Sequence, residues 1–501
     1  MSREKNLLKN TAIFMVGNFA SRFLGFLLLP LYTHYLTASD FGYYDIVITT
    51  VSIIIPVITL QINDAMYRYL LDTDNEDEAR RIVTSSFIVT IAGLAAFCIL
   101  FAVLMNFMNI PFKYPILIYL VTLVLSGLWQ QIARGLKKNV VYSISGVLFT
   151  AVTLISNITL IILMGMRLEA LFYSNIAASV SAIVYIELNI HVLKRMNWSS
   201  KKPGQIKVPG ASSPTRLLSI APAIPLIKKL AAYSAPLLPN ALNWWILSAC
   251  NRYIINYHIG TEANGIFAVS TKFPSILMAF NSVFYLAWQE SAIQEYEAKD
   301  KNEFYTRMFN FYMKFQFCTM LVLLPVTRWG MMLMVDKAFI DAWRYVPFLY
   351  AGTVFMAFST FYGTGYLSSK DTRGAFTTSI AGAGANVLLN LVLTPIMGIQ
   401  AASLSNMLAF AGLWILRIFQ TRKYFSIKVD LRSLFSLMFL SGIFIVFYYF
   451  NNLIIDVIMT IASMGIFYLF NRSLVVKAAG YVRSRLASNP VKARRAKGEQ
   501  P

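Results

Sequence analysis

Long apolar runs recur along almost the whole chain, cut at intervals by short charged or Gly/Pro-marked breaks. A helix that crosses a bilayer needs about 20 mostly apolar residues, and more when it tilts. By that measure the chain reads as fourteen spans: 10–36, 41–70, 82–107, 114–134, 140–165, 168–193, 230–258, 262–290, 304–330, 344–368, 374–396, 399–421, 431–451 and 453–475. The predicted class is an all-α polytopic membrane protein. One break organises the start. Pro30 bends the far end of the first span, and the polar turn Thr37-Ala-Ser-Asp40 leads straight into a second helix at Phe41-Gly42. Further prolines in or near spans (Pro56, Pro236, Pro239, Pro274, Pro325) release backbone carbonyls that bend a helix or line a cavity.

Composition agrees with the pattern. Of 501 residues, 57% are hydrophobic and 13% charged, too apolar for a soluble protein to bury. The 14% aromatics, 27 of them Tyr, suit many membrane–water crossings. Cys98, Cys250 and Cys318 stand singly in apolar segments and suggest packing. His34, His191 and His258 have no metal-ligand spacing, so no metal and no cofactor is expected.

The net charge of +21 alone would suggest nucleic acid. Its placement points elsewhere. With the N-terminus cytoplasmic, 34 of the 44 Lys and Arg fall in cytoplasmic segments, five (Lys113, Arg167, Arg328, Lys337, Arg344) outside, and five within spans. That bias sets both termini in the cytoplasm, with the charge beside anionic lipid. The apolar run after the basic start is too long for a signal-peptide core and reads as a retained span. The Pro/Ser/Lys-rich stretch 196–229 becomes apolar and basic towards its end, as an interfacial segment would. It is the expected cytoplasmic linker between an N-lobe, 1–195 (spans 1–6), and a C-lobe, 230–423 (spans 7–12). Spans 13–14 fill 424–476, and a basic tail runs from 477 to 501.

The lobes follow from an internal repeat. Tyr35-Leu-Thr-Ala-Ser-Asp-Phe-Gly42-Tyr-Tyr-Asp-Ile aligns without a gap with His258-Ile-Gly-Thr-Glu-Ala-Asn-Gly265-Ile-Phe-Ala-Val. Asn157-Ile-Thr-Leu-Ile-Ile-Leu-Met-Gly165 aligns with Asn390-Leu-Val-Leu-Thr-Pro-Ile-Met-Gly398. The offsets, 223 and 233, are close. Six spans is an even number, so the copies share an orientation. They should be related by an axis along the membrane normal, with a cleft between them.

These residues resemble a known family. Asn18…Arg22-Phe-Leu-Gly25…Leu29-Pro30-Leu31…Tyr35-Leu36…Phe41-Gly42 is similar to the opening of the Wzx-type polysaccharide transporters, of the multidrug/oligosaccharidyl-lipid/polysaccharide (MOP) exporter superfamily. Asp64-Ala65-Met-Tyr-Arg68-Tyr69 resembles the end of their second helix, and Asn390…Met397-Gly398-Ile-Gln-Ala-Ala402 their helix-end signature. The resemblance implies two six-helix lobes forming a V, plus two C-terminal helices, and alternating access. It also implies transport of an undecaprenyl-pyrophosphate-linked oligosaccharide from the inner to the outer leaflet, beside polymerases or glycosyltransferases of the same pathway.

A charge at mid-bilayer costs about 2.5–3.5 kcal/mol on insertion scales, so each one marks a candidate site. Arg22, Arg252 and Lys272 lie in helices flanking the expected cleft and suit a pyrophosphate, by bidentate guanidinium or point charge. The bland alternative is that each is paired and only fixes packing. Asn18, Asn240 and Asn243 could bond sugar hydroxyls, and Trp244, Trp245 or Tyr253 could stack on a sugar ring. Asp64 and Arg68 are spaced for an i,i+4 pair with a structural or gating role. Glu187 and His191 share that spacing and form either a structural pair or a proton relay. Lys314 can snorkel to the interface, and Glu290 is expected there too. A cation-coupled drug exporter would favour buried carboxylates, and spans 1, 7 and 8 carry none at mid-depth. A membrane glycosyltransferase or polymerase would need a catalytic group in a sizeable outer loop. No GxxxxGK[ST] motif is present.

Overall fold

The computed structural model describes residues 26–107, 109–196, 224–369 and 371–476. All regular structure in them is helical: α1 (Leu29–Tyr35), α2 (Ala38–Thr59), α3 (Ile62–Asp72), α4 (Glu76–Phe107), α5 (Lys113–Gly135), α6 (Asn139–Ile158), α7 (Leu168–Ile190), α8 (Val192–Arg195), α9 (Ile224–Ser234), α10 (Leu237–His258), α11 (Thr261–Lys272), α12 (Pro274–Gln294), α13 (Lys301–Met334), α14 (Val346–Ser368), α15 (Thr372–Met397), α16 (Ile399–Thr421), α17 (Leu431–Tyr449) and α18 (Leu453–Phe470). Eleven described helices are long and apolar enough to cross a membrane, or twelve if α11 and α12 form one broken span. The fourteen of the sequence reading are therefore not all matched. The first span lies mostly outside the described residues. The seventh, α10, is 22 residues long but carries Asn240, Asn243, Asn251 and Arg252, which lower its hydropathy.

Helix ends follow local chemistry. At the Thr37–Asp40 turn, Asp40 N–H donates to Thr37 Oγ1 (3.1 Å) and Thr37 N–H to Asp40 Oδ2 (3.3 Å), a reciprocal capping box. Pro56 removes one rung of the α2 ladder, and the helix ends at Thr59. Leu60 and Gln61, at φ 49° and 55°, turn the chain into α3, so the expected second span is two helices. Phe273-Pro274 divides the eighth span in the same manner. Both copies of the Asn…Met-Gly motif end on a glycine in the left-handed region, Gly165 at φ 68° and Gly398 at φ 59°. That conformation favours glycine at a helix end.

By contacts the chain forms two compact units. The first holds residues to Val269, with Asp336–Phe339 and Ala383–Ala402. Its core has one apolar cluster around Val47, Tyr119, Val124 and Phe172, and another around Met66, Leu128, Trp129 and Ile186. The second holds Ser270–Val335, Ile340–Gly382 and the chain from Ser403 onward. Its core is aromatic: Trp288 stacks on Phe361 at 4.0 Å between centroids, and Phe309 meets Phe358, Phe361 and Tyr362 edge-on. Here α17 and α18 pack on α13. Arg328 Nε of α13 lies 3.3 Å from Asp456 Oδ2 of α18, an ion pair with 8% and 1% of the side chains exposed. Two turns or more before Arg328 along α13, Lys314 Nζ lies 2.9 Å from Asp430, which caps α17 by accepting from Ser433 N–H at 3.1 Å. The Ser433 bonds, then Lys314, push the Asp430 carboxyl down to about 2. Lys314 thus reaches a polar helix end, as a snorkelling lysine would.

Candidate functional site

The first unit carries a polar stripe on α2. Gly42, Asp45, Thr49 and Ser52 recur at the spacing of one helix face and meet α10 and α11. At the first rung, Asn264 Nδ2 donates to the Gly42 carbonyl at 2.9 Å, buried on both sides. At the next, Arg252 Nε donates to Asp45 Oδ2 at 2.6 Å, with 17% and 6% of the side chains exposed. Arg252 Nη1 also donates to Ser248 O at 3.3 Å. A turn further, Trp245 Nε1 donates to Thr49 O and Ser52 Oγ, each at 3.0 Å, and the Tyr253 and Thr50 hydroxyls bond each other.

The opposite face of α10 meets a second polar cluster. Asn251 Oδ1 accepts from Asn390 Nδ2 (2.8 Å) and Asn386 Nδ2 (3.1 Å). Asn251 Nδ2 donates to Ala402 O at 3.2 Å, and Thr394 Oγ1 to Asn390 Oδ1 at 2.7 Å. Within a bilayer such bonds satisfy groups that water cannot reach. The sequence reading used Asn390 as a marker of the repeat and of the family resemblance, and missed Asn251 and Asn386. The i,i+4 spacing of Asn386 and Asn390 in an apolar run was the available signal.

The predicted site residues fare differently. Arg252 is no bare cation here, because Asp45 neutralises it. Asp45 was overlooked, lying 207 positions away in sequence. Asn240 and Asn243 are half-buried on α10, and Asn243 Nδ2 is buried without a hydrogen bond. Of the aromatics, Trp245 and Tyr253 serve the contact with α2. Lys272, half-buried, ends α11 at the Phe273-Pro274 break, in the second unit. Asn18 and Arg22 lie outside the described residues.

Two pairings need correction. Arg68 bonds Asp72, four residues after it, and not Asp64, four before; both partners are exposed. The long side chain extends towards the exposed end of α3, where its charge stays hydrated. Asp64 instead accepts from Gln131 Nε2 at 3.3 Å. Glu187 does not reach the His191 side chain: it accepts from Trp129 Nε1 at 3.1 Å and from the N–H of Leu193 at 3.1 Å, capping α8. His191 is exposed at φ 54°, the corner between α7 and α8. Glu290 accepts from Gln294 near the end of α12, an exposed contact.

Two buried arginines were assigned to loops when the charges were counted from the sequence. Arg328 was counted in an outer loop and Arg417 in an inner one, yet both lie within helices. Arg417 donates to Ser359 O (2.8 Å), Ser379 Oγ (3.2 Å) and Thr378 Oγ1 (3.3 Å). Their positions near span ends hid them.

A family model described as polysaccharide biosynthesis protein matches residues 7–293. The chain belongs to that family. Among solved structures, lipid II flippase MurJ in an inward closed conformation is similar at a TM-score of 0.66 and 12% identity, over 93% of this chain and 100% of that one. An inward-facing multidrug resistance MATE family transporter of the MOP superfamily gives 0.61 at 11% identity, over 80% and 94%. A MATE in complex with MaL6 gives 0.57 at 13%, over 84% and 96%. A sequence search of curated proteins finds no match. At these identities the fold is what is shared, and this polysaccharide biosynthesis family member has the all-α polytopic fold expected from its sequence, in common with MurJ and the MATE transporters.

Proposed function

We propose that this protein is a flippase that moves undecaprenyl-pyrophosphate-linked oligosaccharide units from the inner to the outer leaflet of the bacterial cytoplasmic membrane. It works by alternating access and serves cell-surface polysaccharide biosynthesis, O-antigen or capsule. The observation that carries this reading is the family match over residues 7–293. A fold shared with a structure titled as a lipid II flippase supports it. The two lobes run over 1–195 and 230–423, joined by the linker 196–229, with both termini in the cytoplasm.

In this reading Arg22, Arg252 and Lys272 contact the pyrophosphate, and Asn18, Asn240 and Asn243 the sugar. Arg252 suits the role because a guanidinium binds a carboxylate or a phosphate through the same fork of donors. Asp64 and Arg68 act at a helix end near the inner surface, and Glu187 and His191 at the corner after α7. Deleting the gene in the native host tests the function. Lipid-linked repeat units should accumulate in the inner leaflet; unchanged units and surface polysaccharide would refute it. Replacing Arg22 with Ala should abolish export while the protein still accumulates.

The drug-exporter alternative needs a buried carboxylate able to take a cation. Among the described residues the buried carboxylates are Asp45 and Asp456, and each is held by an arginine.

A further inference from the structure

The two repeat glycines meet. A Cβ on Gly42 would stand 2.0 Å from the carbonyl oxygen of Thr261, and one on Gly265 would stand 1.9 Å from that of Ala38. No side chain fits at either place. Ala38 and Gly42 are the repeat mates of Thr261 and Gly265, at the same offset of 223. Residue i of one copy therefore touches residue j of the other, and j touches i, which is the signature of a two-fold contact. The pseudo-axis relating the copies passes through this crossing. For copies of like orientation that axis runs along the membrane normal, which is also the line of a central pathway. A backbone-to-backbone contact on the axis closes it.

The next turn departs from symmetry. The repeat mate of Asp45 is Ala268 and that of Arg252 is Leu29, so the ion pair exists on one side of the axis only. Asn264 likewise bonds the Gly42 carbonyl, while its mate is Phe41. A symmetric closure is thus fastened by unsymmetric polar contacts.

We propose that Gly42, Gly265, Asp45 and Arg252 form one latch that shuts the pathway at the end where the Thr37–Asp40 turn lies, and that this latch must part for that end to open. On the proposed orientation this is the outer face. The inference rests on the transport reading, and it adds Asp45 and the two glycines to the working parts. The glycines let the helices close fully, and the ion pair sets how firmly they hold. With 17% of the arginine side chain still exposed, the pair suits a contact that is made and broken, because each partner regains water when the helices separate.

The test is a distance measurement on the full-length protein in lipid nanodiscs. Ser39 and Glu262 are exposed, and they are repeat mates in the first turns of α2 and α11. Spin labels at Ser39→Cys and Glu262→Cys, with half-buried Cys98 replaced by Ser, report the gap between those turns by double electron–electron resonance. The parent should give one short-distance population. Asp45→Asn or Arg252→Gln should raise a longer-distance population severalfold, and the exchange Asp45→Arg with Arg252→Asp should return it to the parent level. Gly265→Leu should shift the whole distribution to longer distance. Unchanged distributions in Asp45→Asn and Arg252→Gln, with the protein folded and monodisperse, would overturn the latch. So would failure of the exchange to restore the short distance in a folded protein. No substrate enters this measurement. If the latch behaves as expected while deletion leaves lipid-linked units unchanged, only the flippase reading falls.

Discussion

Two buried arginine–carboxylate pairs sit in this bundle under different conditions. Arg328–Asp456 is 3.3 Å long, and its side chains are 8% and 1% exposed. It ties α18 to α13 within the second unit. Arg252–Asp45 is shorter, 2.6 Å, and its arginine is 17% exposed. It joins the beginnings of the two repeats. Burial that complete fits a permanent anchor, since parting the charges would strand both. The pair nearer to solvent sits where a moving contact is needed. The comparison also gives the C-terminal helices a job: they pack on α13 and supply its buried arginine with a counterion, although they lack a repeat mate.

The largest effect should come from breaking the anchor. Asp456→Ala leaves Arg328 charged and buried, at a cost of about 3–5 kcal/mol. The protein should accumulate poorly and melt well below the parent in detergent. Replacing both residues, Arg328→Met with Asp456→Leu, should recover most of the loss. If the single variant melts like the parent, the pair is no anchor. Next in size is Arg252→Gln at the latch. Export should fall at least tenfold while the melting midpoint drops less than for Asp456→Ala, as measured by surface polysaccharide and thermal unfolding. The reverse order would erase the distinction between the pairs.

A smaller effect separates both from a pair at a helix end. Asp430 caps α17 and meets Lys314. Asp430→Ala should cost about 1 kcal/mol, the usual worth of an N-cap. The folded protein holds this carboxyl near 2, below the ordinary value of about 3.9. Its contribution is therefore complete above the ordinary value and fades as pH falls through about 2. Parent and variant unfolding curves should converge over that acidic range and stay apart at neutral pH. The smallest effect belongs to Arg68–Asp72, whose side chains are 52% and 57% exposed. Arg68→Ala should change stability by less than about 0.5 kcal/mol, within the scatter of repeated melts. A larger shift would mean that Arg68 contacts something besides Asp72.

Local chemistry was legible in the sequence. Thr37 and Asp40 announce the cap, Pro56 and Pro274 the broken helices, and Gly165 and Gly398 the matching ends of the two motifs. The repeat aligned Gly42 with Gly265, but alignment alone does not say that the mates touch. What the sequence hid is partnership over distance. Asp45 reads as one acid at the start of an apolar span until Arg252 meets it. Asn251 reads as a polar lapse in α10 until Asn386 and Asn390 surround it. Position also misled. Arg328 and Arg417 lie near span ends, where hydropathy assigns charges to loops. Arg68 had an acid four residues to either side, and only side-chain direction chose Asp72.

Transport itself is tested most directly in a defined membrane. The purified full-length protein is reconstituted in vesicles that carry a fluorescent undecaprenyl-pyrophosphate oligosaccharide, and an added glycosidase reports how much of it faces outward. The account predicts that the cleavable fraction rises from the outer-leaflet share towards the whole pool with the parent protein, and stays at that share with Arg252→Gln. A fraction that stays at the outer-leaflet share with the parent, using the host's own lipid-linked oligosaccharide, would contradict it.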